Sequence, residues 1–515
     1  MTVLPEVGEP EEEQTADSGS AGGASRSSRV SRSAVKPLVL RLHFYAGLLV
    51  APFLFVAAFS GLLYAASVQF EKIVYDHELR VPVGDERLPV EEQVAAARAA
   101  HPEGTVNGVR PGADEGATTR VLLDVPGLGP SHRLAVFVDP YTAEVRGALE
   151  AYGSSGALPV RWWVDELHRN LHLGDLGRHY SELAASWLAV IVLGGVVLWI
   201  GRRRAERRVR RTLLPERGLR GRRASLTWHG TVGLWIGLGL GFLSLTGLTW
   251  SQHAGANITE LRSALSWETP AVSTTAGEHA EHEGHGGHGE HEGHEGHGEH
   301  EGHGEHEGHG EHEGHGEHEG HEGHAGGDGH AADVGPDRVL AAARDEGLGD
   351  EVEIIYPAEP GGVYSIKETR SHWPVAQDAV AVDSATGEVT DTVRFEDWPL
   401  AAKLARWGVD AHMGLLFGLA NQIVLMALAC ALMTVIVLGY RMWWQRRPTT
   451  ARRMAWGRPP PRGAWRRAPW AVLVPLLALA AVVGYYVPLL GLSLLAFLAV
   501  DAALGQFRRR RAGQP

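Results

Sequence analysis

The sequence predicts a polytopic α-helical membrane protein with two external α+β domains, arranged as a duplicated helix–domain–helix unit plus a C-terminal helical hairpin. Three observations carry this. Apolar runs of about 18 residues or more recur along the chain, the length a helix needs to cross a bilayer. Arginine collects at alternate ends of those runs. The two long polar segments between them share one order of helix and strand signals.

In chain order, residues 1–36 are polar, rich in Ser and Glu, and read as a disordered cytoplasmic tail. The first span, 38–67, is too long for a secretory apolar region and lacks a convincing cleavage site, so it reads as a retained helix. An external domain covers 68–181, and the second span 183–201 runs into a basic cytoplasmic loop, 202–225. The third span is 226–250. A polar tract, 251–335, and a second external domain, 336–410, follow it. The fourth span, 413–440, leads to another basic loop, 441–468. Spans five and six, 470–487 and 489–505, are expected to form a hairpin broken near Gly484 and Pro488, ahead of a basic tail, 506–515.

The arginine-rich loops mark the cytoplasmic side, which puts both termini inside and both polar segments outside a bacterial-type inner membrane. The formal charge of −13 is local in origin, with acid concentrated in the N-terminal tail and in one His/Glu/Gly tract. No basic stretch is interleaved with aromatics, so no nucleic-acid partner is expected. Cys430 is the single cysteine, which rules out an intramolecular disulfide and covalent haem attachment through a Cys-x-x-Cys-His motif.

Four histidines fall at span ends. His43 and His229 begin spans one and three on the inner side, each with a glycine four residues on (Gly47, Gly233). His172-x-Gly174 and His412-x-Gly414 precede spans two and four on the outer side. A single interfacial histidine is commonly bonded to water or headgroups, but matched pairs are what two non-covalent b-type haems need as axial ligands. The outer assignment keeps alternatives: His168 lies one turn before His172, and His253 follows span three. Arg161, Arg169 and Arg178 are candidate partners for haem propionates. The small residues Gly233, Gly237 and Gly241 suit either helix packing or a porphyrin face.

The polar segments read LPVEEQVAAARAAHPEG, VLLDV, RLAVFVDPYTAEVRG in the first copy and PDRVLAAARDEGLGD, VEIIYPA, VYSIKE, AVAVDSATGEVTD in the second. Each suggests one amphipathic helix and two or three strands, with a turn at Asp139-Pro140 or Asp383-Ser384. The first copy has Ala143 where the turn glycine is usual. With HFYAGL, LHRNLHLG and HMGLLFGL, these motifs resemble the PepSY-associated transmembrane family over about residues 37–445. The resemblance implies PepSY-like external domains and a kinship with iron-regulated inner-membrane proteins and di-haem ferric-siderophore reductases. It therefore implies reduction of an external ferric-siderophore or other metal chelate. No Rossmann fingerprint or flavin domain is visible, so the electrons are expected from a separate cytoplasmic donor, a flavin reductase or a reduced nicotinamide source.

Histidine recurs at every third position from His279 through His282, His285, His288, His291, His294, His297, His300, His303, His306, His309, His312, His315, His318 and His321 to His324. Such a tract builds no core, and its imidazoles and carboxylates are weak overlapping sites for Zn, Cu, Ni or Co. It favours an alternative function, a non-redox metal-binding or transport accessory with the external domains as binding modules. A further alternative makes those domains protease-modulating. Trp373, Tyr364 and Arg370 are external-facing candidates for shaping substrate entry.

Overall fold

A computed structural model describes residues 23–206, 213–274, 333–447 and 469–512. The chain is helical over α1 (Gly23–Leu49), α2 (Ala51–Val74) and the short α3 (Asp76–Leu79), then α4 (Val90–Ala100). Four strands follow, β1 (Thr105–Arg110), β2 (Thr119–Asp124), β3 (His132–Val138) and β4 (Val145–Tyr152). Next come α5 (Pro159–Asn170), α6 (Gly174–Glu206), α7 (Gly221–Leu248), α8 (His253–Ala264) and α9 (Gly335–Asp345). Then β5 (Val352–Ile355), β6 (Val363–Glu368), β7 (Ala379–Asp383) and β8 (Val389–Val393) precede α10 (Leu400–His412), α11 (Gly418–Trp444), α12 (Trp470–Tyr486) and α13 (Pro488–Ala512).

Among the described residues, five helical stretches are long and apolar enough to cross a membrane: Ala51–Val74, Gly174–Arg202, Gly221–Leu248, Gly418–Trp444 and Pro488–Phe507. Trp470–Tyr486 is apolar but shorter. The first expected span, 38–67, straddles α1 and α2, where Val50 N–H donates to Ala46 O at 2.9 Å and keeps the backbone helical across the join.

The chain divides into two compact units, one from the described parts of Met1–Pro52, Ser186–Gly241 and Thr434–Pro515, the other from Phe53–Ala185 and Phe242–Met433. In the first unit α12 and α13 form the expected hairpin. Its helices meet so closely that a Cβ on Gly491 would lie 2.8 Å from Gly484 O. Arg41 on α1 pairs with Asp501 on α13, Tyr45 stacks on Phe497 at 5.3 Å, and Trp187 Nε1–H donates to Ser493 Oγ at 2.9 Å. The hairpin thus packs on α1 and α6.

The second unit holds the strands, and here the structure differs from the two separate domains expected. All eight strands form one antiparallel sheet, ordered β4-β3-β2-β1-β5-β6-β7-β8. Each polar segment supplies a four-stranded meander, and the meanders join edge to edge at β1 and β5, where Gly108 pairs with Ile355 and Val109 with Ile354. Gly108 makes this approach possible, because a Cβ there would sit 2.9 Å from Ile354 O. On one face, α4 and α9 cover a single core that draws Val94, Ala97, Val109 and Val121 from the first segment and Val339, Ala343, Ile354 and Ile366 from the second. Asp337 of α9 caps α4 from across this seam, accepting from Val90 N–H at 2.8 Å and Glu91 N–H at 2.9 Å.

The opposite face carries a buried ion cluster at the same seam. Glu353 accepts from Arg110 Nε at 2.9 Å and Nη2 at 2.6 Å, and from Arg133 Nη1 at 3.0 Å. Burial alone would raise its carboxyl pKa, but Arg110, Lys367 and Arg133 outweigh that and hold it at about 2. Tyr364, expected to face outward, is instead buried in the sheet core with its hydroxyl donating to Asp333 at 2.9 Å. Its ring lies on the β6 face that meets the shared core, so it is not available to a substrate. Trp373 is exposed, against Trp407 at 5.7 Å, and Arg370 is half-buried.

Candidate functional site

In the first unit, His43 on α1 and His229 on α7 approach each other with ring centroids 6.3 Å apart and planes at 83°. His43 Nδ1 lies 3.0 Å from Ile191 O on α6, and His229 Nδ1 lies 2.9 Å from Val435 O on α11. A carbonyl oxygen can only accept, so each ring carries its proton on Nδ1 and keeps the lone pair on Nε2. Metal-ligating histidines are commonly oriented by such a carbonyl partner.

Both rings pack against glycines, at distances where an added Cβ would be in ordinary van der Waals contact. A Cβ on Gly194 or Gly195 would come within 3.5 Å or 3.4 Å of the His43 side chain, and one on Gly439 within 3.6 Å of His229 Cε1. At Gly47 and Gly233, one helical turn beyond each histidine, a Cβ would meet nothing within 4 Å.

In the second unit, His168 in the last turn of α5 and His412 at the end of α10 follow the same rule with a different acceptor. His168 Nδ1 is 2.9 Å from Ser60 Oγ on α2, and His412 Nδ1 is 2.7 Å from Thr246 Oγ1 on α7. Both hydroxyls donate to their own helix, Ser60 to Val56 O and Thr246 to Phe242 O, so each is left to accept from the imidazole. Again Nε2 keeps the lone pair. The adjoining residue is glycine in both cases: a Cβ on Gly61 would lie 3.1 Å from His168 Cε1, and one on Gly247 would lie 3.6 Å from His412 Cε1. Burial lowers the pKa of His168, and burial followed by the charge of His168 lowers that of His412 to about 4. Both rings are therefore neutral near pH 7, the form that ligates.

His172, which the Gly-based alignment pairs with His412, occupies a different environment. It lies in the left-handed turn after α5 at φ 54°, with Nδ1 3.1 Å from Glu166 Oε2 and its ring 4.8 Å from Trp163. The structure turns His168 towards α2 and leaves His172 exposed. A signal for this was present in the sequence. Trp163 stands five residues before His168, as Trp407 does before His412, and His168 and His412 each precede the carbonyl acceptor of the other pair (Ile191, Val435) by 23 residues. Likewise His43 precedes Ser60, and His229 precedes Thr246, by 17 residues.

His253 begins α8 and faces His179, with the two Nε2 atoms 3.1 Å apart. Of the arginines, Arg161 is held by buried Glu71 at 3.1 Å and Arg169 by the Tyr152 hydroxyl at 2.7 Å. The tract from His279 to His324 lies outside the described residues.

The sequence model of the PepSY-associated TM region matches residues 40–446, which takes in His43, His168, His229 and His412. No curated protein matches the chain.

Proposed function

The chain belongs to the PepSY-associated transmembrane family, and from that premise we propose that it passes electrons across a membrane by way of two b-type haems to reduce an external ferric-siderophore or other metal chelate. The family and the five apolar helices make it a multi-pass membrane protein. The finer reading sets it in a bacterial-type inner membrane, with the arginine-rich loops and both termini in the cytoplasm and the sheet outside. It also makes the chain a duplicated helix–domain–helix unit, which the equal spacings around the histidines support.

The observation that carries the proposal is the His43–His229 pair. Two imidazoles on opposite sides of one metal ion, each nitrogen about 2 Å from it and roughly 1 Å from its own ring centre, have centroids about 6 Å apart. The measured separation is 6.3 Å. When bound, each haem would supply one-electron Fe(III)/Fe(II) chemistry, with His43 and His229 holding one and His168 and His412 the other. The protein contributes the rest. Ile191 O and Val435 O fix the tautomer and aim of the inner rings, and Ser60 and Thr246 do so for His168 and His412. Gly61 lets the His168 ring approach α2 closely, since a Cβ there would lie 3.1 Å from His168 Cε1.

The external acceptor is a metal chelate, and the cytoplasmic donor is a separate flavin reductase or reduced nicotinamide source. The test is anaerobic mixing of dithionite-reduced, desalted protein with excess ferric siderophore and a ferrous trap. Re-oxidation of the protein together with trapped Fe(II) is expected; a protein that stays reduced contradicts the proposal. The sixteen histidines from His279 to His324 favour a second reading, a non-redox metal-binding accessory that also takes up Zn, Cu, Ni or Co.

A further inference from the structure

His179 and His253 are used by neither reading of the four half-buried histidines, and they are arranged differently. His179 stands near the start of α6, and its Nδ1 lies 2.6 Å from Asp175 O. That carbonyl accepts from Nδ1–H, so Nε2 keeps its lone pair, 3.1 Å from His253 Nε2. His253 is brought there by Glu182, one turn along α6 from His179 and 1% exposed. The Glu182 carboxylate accepts from His253 N–H at 2.9 Å and Ala254 N–H at 3.0 Å, which fixes the first turn of α8. Glu182 thus fixes the start of α8 while Asp175 O orients the His179 ring, and the two rings meet at 48°.

The separation discriminates between ways of sharing an ion. With metal–nitrogen bonds of about 2.0–2.1 Å, two imidazoles lie about 2.9 Å apart when adjacent in a square or octahedral site, about 3.4 Å in a tetrahedral one, and about 4 Å when opposite. The observed 3.1 Å falls between the two adjacent geometries and well short of the opposite one. The ring centroids agree, at 5.1 Å here against 6.3 Å for His43 and His229. We propose that His179 and His253 form a site for one divalent transition-metal ion, bound through two adjacent imidazole nitrogens with its other positions open to water or to an external ligand. Two nitrogens and open positions favour Cu²⁺ over Zn²⁺, Ni²⁺ or Co²⁺. Among the described residues no group of three or more His, Cys, Asp or Glu gathers around an ion, so this pair is a modest site suited to exchange rather than storage. The proposal stands apart from the haem reading.

The test uses the full-length chain with the sixteen tract histidines changed to Gln, so that they do not compete. Titration with Cu²⁺ alone is expected to fill one site, and the electron paramagnetic resonance spectrum at one equivalent to show coupling to two imidazole nitrogens. His179→Gln or His253→Gln is expected to weaken binding by about tenfold or more and leave one coupled nitrogen, whereas His172→Gln leaves both unchanged. Unaltered Cu²⁺ affinity in His179→Gln and His253→Gln, or no bound equivalent in the parent, would make the contact an ordinary histidine–histidine hydrogen bond and overturn the site. If those variants do not fold, the parent spectrum decides: fewer than two coupled nitrogens overturns it.

Discussion

A neutral imidazole ligates through one nitrogen while the other keeps its proton, and at all four half-buried histidines that proton goes to a backbone carbonyl or a helix-bonded hydroxyl. His168→Ala should therefore remove one of the two b-type signals from a low-temperature reduced spectrum, while His172→Ala keeps both; equal loss in the two would return the outer ligand to His172. Glu353 makes a second residue-scale case. Removing it leaves Arg110 and Arg133 unpaired at the seam, so Glu353→Ala should cost about 3–5 kcal/mol in a denaturant melt. Its folded carboxyl pKa is depressed from 4.5 to about 2, so the stabilisation is complete above pH about 4.5 and lost as pH falls through about 2. Thermal melts across that window should show wild type losing stability with falling pH and Glu353→Gln losing less. At the β3–β4 turn, Ala143 holds φ 57° where the matching turn has Gly387 at φ 74°. Ala143→Gly relieves a left-handed L-residue and should raise stability by about 1 kcal/mol by the same melt.

At the scale of elements, the apolar helices, the helix-then-strands order of the two polar segments and the prominence of His43 and His229 could be read from the sequence because each leaves a local pattern: an apolar run, an alternation of helix and strand signals, a His with Gly at i+4. His168 and His412 were only half legible. The amphipathic helix α5 carries Trp163 and His168 at one spacing and α10 carries Trp407 and His412 at the same spacing, but the His-x-Gly match drew the alignment to His172. Strand β1 left little trace, since Gly108 weakens its pattern and the register shifts between Val106 and Gly108. That same glycine joins the meanders. Gly108→Val would drive side-chain atoms into Ile354 O, and should be detected as faster proteolysis within the strands than in wild type. In the hairpin, the packing of Gly484 on Gly491 and the Arg41–Asp501 pair are contacts between distant helices that no local pattern announces.

For the whole molecule, what sequence could not supply was the merging of two domains into one sheet. That depends on pairing between β1 and β5, on the Asp337 cap and on Glu353, all of them contacts between residues more than two hundred positions apart. Strand patterns define faces and edges, but not which edges meet. Paired edges also leave no open strand at the junction, so the two meanders stabilise one another as a unit. The proposed division of labour assigns electron transfer to His43, His168, His229 and His412 and metal capture to the tract histidines, and the two should separate experimentally. Changing all sixteen tract histidines to Gln is expected to lower bound Zn²⁺ or Cu²⁺ several-fold in equilibrium dialysis without altering haem content. The most direct measurement of the central claim is haem per chain in protein purified after haem-sufficient expression, counted by extraction against protein concentration. Two haems in wild type, falling to one in His43→Ala or His229→Ala and to one in His168→Ala or His412→Ala, is the predicted result. A chain that carries no haem with all four histidines intact would contradict it.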